Sequence, residues 1–140
     1  MNFVLDSSLA MAFVLKDEAT LQTDHVLDGF GQGAKAVAPA LWRWEVANAL
    51  LVAERRKRIT QADTERHFNQ LNNLPIEADD SAFEQAWLDA QRLARKHKLS
   101  CYGAAYLEMA IRLVLALGSL DTMLRAATQL EKIPVLPETL

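Results

Sequence analysis

Short apolar segments alternate with helical segments along this chain of 140 residues, and that alternation restricts the folds open to it. Strands are predicted at residues 3–5, 36–38, 75–78, 115–120 and 133–136. Strands separated by helices pair in parallel, and a parallel sheet needs helices on both faces. We therefore predict a three-layer α/β/α domain with a central, mostly parallel sheet of about five strands.

Local signals mark where the helices begin and which strands lie at the edges of the sheet. Helices are predicted at residues 9–15, 18–27, 41–57, 60–73, 81–98, 103–113 and 122–129. Residues 60–63, Thr-Gln-Ala-Asp, resemble a capping box with Asp in place of Glu. Pro134 cannot donate a backbone hydrogen bond, so the last strand is expected at an edge. The strand at 75–78 is also predicted to be an edge strand.

Length and composition bound the class of protein. The chain is 51% hydrophobic, enough to fill the core of one domain, so we expect a single domain over residues 1–140. A net charge of -3 does not draw the whole protein to nucleic acid or membranes. No signal peptide or membrane-length apolar run is apparent, and the expected location is the cytoplasm. The single cysteine, Cys101, excludes an internal disulfide and is predicted to be a small core residue.

Three acidic residues occupy positions, two strand ends and one apolar stretch, that suggest a specific role for their carboxylates. Asp6 ends the first strand, and Asp121 follows the fourth, so both belong to the sheet edge where α/β proteins bind ligands. Glu45 lies in an otherwise largely apolar stretch, where an unpaired charge is costly to bury. Clustered carboxylates repel one another unless a cation lies between them. The set therefore favours Mg²⁺ or Mn²⁺, which can activate water for attack on a phosphodiester.

Structural roles are the alternative for each acid. Asp6 and Asp121 both precede predicted helices, where Asp is a favoured N-cap. For Glu45 the alternative is an ion pair with Arg43 or Arg125. A basic run at residues 55–58 is interpreted either as a solvated helix end or as a surface for phosphates or an acidic partner.

Four motifs, taken in order, resemble one known family. They are Val-Leu-Asp-Ser-Ser at 4–8, Pro-Ala-Leu-Trp-Arg-Trp-Glu-Val-Ala-Asn-Ala-Leu at 39–50, Ala-Ala-Tyr-Leu-Glu-Met-Ala at 104–110 and Ser-Leu-Asp at 119–121. This ordered set resembles the PIN-domain family, and within it the VapC-type toxins of toxin–antitoxin pairs. The resemblance covers essentially the whole chain. It implies a Mg²⁺-dependent endoribonuclease that cleaves RNA, often as a homodimer, and is inhibited by an antitoxin whose peptide enters the active-site groove.

The resemblance also assigns residues. It implies that Asp6, Glu45 and Asp121 bind the metal and that Ser8 supports Asp6. One position departs from the family pattern, because Gly103 stands where the family ordinarily has a further acid. The chain is therefore expected to be impaired in catalysis. Two explanations are open: a degenerate natural relative, or an inactivating change in an active toxin.

Other functions fit parts of the same pattern. A non-catalytic module with this fold would bind an antitoxin or RNA without cleaving it. An aspartyl-phosphate phosphatase also uses a strand-end Asp, but Ser8 occupies the place where its second Asp would follow. The resemblance also implies that the hairpin of the helices at 41–57 and 60–73 helps bind the antitoxin. Leu71 and Leu74 belong either to an apolar groove on that hairpin or to the core.

Overall fold

Five parallel strands form the central sheet in the computed structural model, which describes residues 1–140. They are β1 (Asn2–Leu5), β2 (Lys35–Ala38), β3 (Ile76–Ala78), β4 (Ala116–Gly118) and β5 (Val135–Leu136). Their order across the sheet is β3-β2-β1-β4-β5, and every neighbouring pair is parallel. The two strands predicted at the edges, β3 and β5, do lie there.

Seven α-helices connect and cover these strands. They are α1 (Ser7–Val14), α2 (Leu21–Gly29), α3 (Leu41–Arg55), α4 (Gln61–Asn72), α5 (Phe83–His97), α6 (Cys101–Leu113) and α7 (Thr122–Leu130). A 3₁₀ turn, Phe30–Gln32, follows α2. The predicted three-layer α/β/α architecture with a five-stranded parallel sheet is confirmed. No helix is both long enough and apolar enough to cross a membrane.

Side-chain caps explain where several helices begin. The Thr60 hydroxyl accepts a hydrogen bond from the Asp63 amide, and the Asp63 carboxylate accepts one from the Thr60 amide. This is the predicted capping box at the start of α4. At α6 the cap is one-sided: the Ser100 hydroxyl accepts from the Gly103 amide, and Gly103 has no side chain to return the bond.

The core lies on both sides of β1. Phe3, Val4 and Leu5 are at most 2% exposed, and they pack among buried side chains from the helices and β4. Further core residues are Leu9, Trp42, Val46, Leu50, Leu107, Met109 and Leu117. A fully buried parallel strand is continuously apolar in this way because helices cover both of its faces.

The structure contradicts the core position predicted for Cys101 and decides between the two alternatives for Leu71 and Leu74. Cys101 is exposed, so its predicted core position is wrong. It is the first residue of α6, where it is open to solvent. Leu71 is buried and Leu74 packs against the core, so the hairpin leucines contribute to the interior of the fold.

Gly118 should not tolerate even a methyl group. A Cβ at this position would lie 2.7 Å from Leu9 Cδ2 and 3.1 Å from Phe3 Cδ2, and both side chains are fully buried. We predict that Gly118→Ala lowers the free energy of unfolding by about 1–3 kcal/mol, the usual cost of overpacking. Urea denaturation measures the change. Gly31→Ala is the control, because a Cβ there has no neighbour within 4 Å; equal effects of the two substitutions would contradict the prediction.

Candidate functional site

Asp6 is fixed at the junction of β1 and α1. Its backbone amide donates to the Gly118 carbonyl at 3.0 Å, which extends the pairing of β1 with β4 by one residue. Its side chain is 4% exposed and caps α1, with Oδ1 accepting from the Leu9 amide at 3.0 Å. Ser8 Oγ lies 2.8 Å from Oδ1, and Ser119 Oγ donates to Oδ2 at 2.5 Å. Both carboxylate oxygens therefore have donors.

Burial has the largest effect on the pKa of the Asp6 carboxyl. It raises the pKa of this carboxyl to about 6, against an ordinary value of 3.8. The hydrogen bonds from Ser119, Leu9 and Ser8 lower this pKa, and the charge of Asp121 raises it. Two acids from opposite ends of the chain are thus close enough to interact electrostatically.

Two hydroxyl groups join the ends of β1 and β4. Ser8 Oγ accepts a hydrogen bond from the Leu120 amide at 2.8 Å, and Ser119 Oγ accepts one from the Asp121 amide at 3.0 Å. Ser8 was predicted to support Asp6, and its contacts fit that role. Ser119 belongs to the motif at 119–121 but has no predicted role, although it is fully buried and bonded to Asp6. The available signal was a lone hydroxyl residue in the apolar run before Asp121.

Asp121 caps α7 and is exposed to solvent. Its Oδ1 accepts from the Leu124 amide at 3.0 Å, and its Oδ2 has no hydrogen-bond partner within the protein. Asp6 and Asp121 therefore both act as helix N-caps, as the structural alternative predicts. Capping and ligand binding are compatible here, because a cap uses one carboxylate oxygen of Asp121 and leaves the other free.

Glu45 is half-buried on α3 and contacts Tyr106 of α6. The Tyr106 hydroxyl donates to Glu45 Oε1 at 2.5 Å. The alternative of an ion pair with Arg43 or Arg125 is wrong, since neither is within salt-bridge distance of Glu45. Arg43 is exposed, and Arg125 instead donates to the carbonyl of Ser119 at 2.9 Å.

Gly103 occupies the third position of α6, and a side chain would fit there. A Cβ at this position would meet only Ser100 Oγ, at an ordinary contact distance of 3.5 Å. The backbone of Gly103 is not in the left-handed region, so its conformation does not require glycine. The absence of an acid at this position is thus a property of the sequence, with no packing reason behind it.

The donor set at the site consists of hard oxygen atoms. No group of three or more His, Cys, Asp or Glu side chains is arranged to hold a metal ion, so the three predicted acids are not gathered as one set of ligands. Mg²⁺ is commonly bound by only one or two carboxylates and retains waters. Asp6 and Asp121, which Ser119 joins, match this number and type of ligand. Glu45 is held separately by Tyr106 and is not grouped with this pair.

A groove of about 580 Å³ lies between α5, α6 and the loops that follow β2 and β3, and none of Asp6, Glu45 and Asp121 lines it. Its apolar lining includes Leu41, Phe83, Ala86, Trp87, Ala90 and Met109. Phe83 and Trp87 are 63% and 69% exposed. Three acids, Asp79, Asp80 and Glu108, also line the groove, and its one cationic residue, Arg112, is bound to Glu108 at 2.7 Å. The groove therefore combines an apolar surface with an excess of negative charge.

The basic run at 55–58 forms the end of α3 and the turn after it. Arg58 bonds to Asp17 at 2.7 Å and to Glu18 at 3.1 Å, both on the surface. Exposed pairs of this kind contribute little to stability. The other three residues of the run are exposed, which agrees with the interpretation as a solvated helix end.

Three solved structures resemble this one. PAE2754 from Pyrobaculum aerophilum aligns with a TM-score of 0.67 and 23% identity, over 92% of this chain and 89% of that one. VapBC2 from Rickettsia felis, bound to a DNA fragment from its promoter, aligns with a TM-score of 0.65 and 10% identity, over 96% of this chain and 94% of that one. FitAcB from Neisseria gonorrhoeae aligns with a TM-score of 0.66 and 13% identity, over 99% of this chain and 98% of that one.

These matches confirm the predicted PIN-domain fold. At identities of 23% or less, the likeness establishes the three-layer PIN fold of this chain. No protein-family model matches the sequence, and no curated protein matches it. The function must therefore be argued from the site.

We predict that Asp6→Asn stabilises the metal-free protein at neutral pH. The pKa of Asp6 is higher in the folded chain than in the unfolded chain, so its contribution to stability is present below about pH 4 and is lost as the pH rises through about 6. In EDTA at pH 7.5 the variant should gain about 1–3 kcal/mol in free energy of unfolding. At pH 4 the gain should disappear.

Urea denaturation at the two pH values measures this effect. Exposed Asp28→Asn is the control and should change stability by less than about 0.5 kcal/mol at either pH. A loss of stability in Asp6→Asn at pH 7.5 would mean that the hydrogen bonds of Asp6 outweigh the cost of burying its charge.

Proposed function

We propose that this chain is a VapC-type toxin: a Mg²⁺-dependent endoribonuclease that cleaves RNA phosphodiesters and is held inactive by an antitoxin. The proposal takes residues 1–140 as a single PIN domain that acts in the cytoplasm as a homodimer. One observation carries it: Asp6 and Asp121 lie together at the carboxyl ends of adjacent parallel strands and are joined by Ser119. Ligands bind at this edge in α/β sheets.

The residues that would hold the ion are Asp6 and Asp121; Glu45, held separately by Tyr106, is the third predicted ligand. When bound, Mg²⁺ supplies an activated water and neutralises negative charge on the phosphodiester. Mn²⁺ has similar oxygen preferences and is expected to substitute. The pKa of Asp6 is raised mainly by burial and to a smaller extent by the charge of Asp121, and a cation at this place would offset both effects.

The protein's own groups set the charge and orientation of the site. Ser8 and Ser119 donate to Asp6, and hydrogen bonds to the charged form of a carboxyl favour that form. Asp6 must be ionised to attract a cation, and above about pH 6 it is. The free Oδ2 of exposed Asp121 is open to accept a hydrogen bond from water or a ribose hydroxyl. The hydroxyl network thus holds one acid while the other faces solvent.

Gly103 is the reason for the expected loss of catalytic activity. An acid at the third position of α6 would add negative charge near the helix N-terminus, a place where acids are favourable. Without it, the site has fewer ligands and less attraction for a divalent cation. We therefore propose that this chain binds Mg²⁺ weakly and cleaves RNA slowly.

The antitoxin is the proposed protein partner. Two of the matched structures, VapBC2 and FitAcB, support a toxin–antitoxin assignment for this fold. The groove between α5 and α6 offers exposed Phe83 and Trp87 together with the acids Asp79 and Asp80. This surface is complementary to a segment that carries apolar and basic side chains. We assign that character to the antitoxin peptide.

Restoring an acid at position 103 tests the catalytic proposal. We predict that Gly103→Asp increases Mg²⁺-dependent cleavage of a structured RNA pool at least roughly tenfold, because ligand-supporting groups at metal sites are typically worth 10–100-fold. Cleavage is followed on gels, with EDTA as the metal-free reference. The room around Gly103 makes a folded variant the expected result.

Two controls separate charge from helix stability. Gly103→Asn has nearly the same shape as Gly103→Asp and removes the same helix-destabilising glycine, but carries no charge. It should leave cleavage unchanged. Adding Asp6→Asn to Gly103→Asp should abolish the gain. A folded Gly103→Asp protein without Mg²⁺-dependent cleavage would rule out the role assigned to position 103.

A non-catalytic module that binds an antitoxin or RNA is the second candidate. It is favoured by Gly103 and by the absence of a three-acid metal group. This candidate predicts partner binding that is unaffected by Asp6→Asn and Asp121→Asn, with no cleavage even after Gly103→Asp. Co-purification with a co-expressed antitoxin measures the binding. Cleavage by Gly103→Asp excludes this candidate.

A further inference from the structure

One face of α3 is open to solvent from the first turn of the helix to its last residue. Trp44, Asn48, Leu51 and Arg55 occupy the i, i+4, i+7 and i+11 positions, which lie on the same side of a helix. All four side chains are exposed, and Trp44 is 78% exposed. They span about 16 Å along the helix axis. These four residues define the α3 face.

The cations at the α3 face are free of partners. Arg43, next to Trp44, and Arg55, Arg56 and Lys57, at and just beyond the end of the helix, are all exposed. None of these four cations forms a salt bridge. The two acidic residues of α3 are half-buried and lie off this face. The protein has a net charge of -3, so the α3 face is a local exception to its overall charge.

The α3 face begins at the sheet edge that carries Asp6. The helix starts after the short turn that follows β2, and β2 lies parallel to β1, which Asp6 follows. Trp44 therefore lies about one helical turn from this edge. Asp80 accepts a hydrogen bond from the Ala40 amide at the start of α3. The positive charge is accordingly concentrated toward the other end of the helix.

The other exposed tryptophan, Trp87, has the opposite surroundings. It lines the groove between α5 and α6 together with the acids Asp79, Asp80 and Glu108. Acids repel phosphates, whereas unpaired cations attract them. A base stacks on an exposed aromatic ring whatever the sequence of the strand, and cations beside the ring contact the phosphates. The distribution of charge therefore favours nucleic acid at Trp44 and disfavours it at Trp87.

We propose that the α3 face binds a single-stranded segment of RNA, with one base stacked on Trp44 and backbone phosphates on Arg55, Arg56 and Lys57. The inference rests on the proposed function, because RNA is the proposed substrate, and it identifies a surface that holds the strand outside the cleavage site. A single strand is required, since bases paired in a duplex are not free to stack on a side chain. This binding needs no metal ion.

The direct test measures binding of a short, unstructured, fluorescently labelled RNA by anisotropy in EDTA, where no cleavage occurs. Trp44→Ala should raise the Kd roughly 5–100-fold, the loss produced by one stacking contact. Trp44→Phe keeps a ring and should retain most of the affinity. Leu130→Ala is the control, because it removes a side chain that is 74% exposed on α7, and it should bind as the unmodified chain does. Circular dichroism checks that each variant is folded.

A strand of the same length without bases separates stacking from charge. Trp44→Ala should weaken binding of the intact RNA and leave binding of the abasic strand unchanged. Arg55→Ala should weaken binding of both and reduce the slope of log Kd against log salt by about 0.7, the value for one phosphate on a single strand. Arg92→Ala removes the same charge from a residue already paired with Asp89 at 3.1 Å, so it should leave the slope unchanged.

Equal RNA binding by Trp44→Ala and the unmodified chain, or no RNA binding by the unmodified chain, would overturn the inference. Binding of a polyglutamate peptide that depends on Trp44, without RNA binding, would instead assign the α3 face to an acidic protein partner.

Cleavage in the Gly103→Asp background distinguishes this inference from the proposed function. There Trp44→Ala should raise KM for RNA and leave kcat unchanged. Cleavage with a KM that is insensitive to Trp44→Ala would overturn the inference and leave the proposed function standing. Trp44-dependent RNA binding without any cleavage by Gly103→Asp would do the reverse.

Discussion

The parallel pairing of β1 with β4 is the contact on which the rest of the site depends. It places Leu5 opposite Gly118, and the amide of Asp6 extends the ladder to the Gly118 carbonyl. The residues just beyond both strands, Asp6 and Ser119, are thereby forced into contact although 113 positions separate them. Because Gly118 has no side chain, Leu9 and Phe3 can pack closely over this pair of strands.

The hydrogen bonds that Asp6 and Glu45 accept come from neutral donors, and the buried guanidinium of Arg125 lies close enough for the charge of Asp6 to act on it. Ser8, Ser119 and a backbone amide hold Asp6, and Tyr106 holds Glu45. None of these groups cancels a negative charge, whereas a salt bridge would. Burial of Asp6 therefore costs the metal-free protein stability, as the raised pKa of its carboxyl indicates. Such a cost is a frequent property of sites arranged for a ligand.

Much of the fold follows from local sequence, and the finer contacts of the site do not. The strands and helices were predictable because apolar periodicity and caps are local signals, as at residues 60–63, where the capping box is present. The strand-end positions of Asp6 and Asp121 followed from the same pattern. The bond between Glu45 and Tyr106 joins residues 61 apart on α3 and α6, so tertiary packing rather than local sequence determines it. Exposure of Cys101 likewise depends on what covers the start of α6, which local pattern does not specify.

The shortness of the edge strands has a consequence for how this protein meets other chains. β3 has three residues and β5 has two, so each border of the sheet presents very few unpaired backbone groups. A strand of another chain has almost no free backbone groups to pair with at these edges, and this opposes edge-to-edge aggregation. Recognition is left to helices and their side chains, whose chemistry can distinguish one partner from another in a way that backbone pairing cannot.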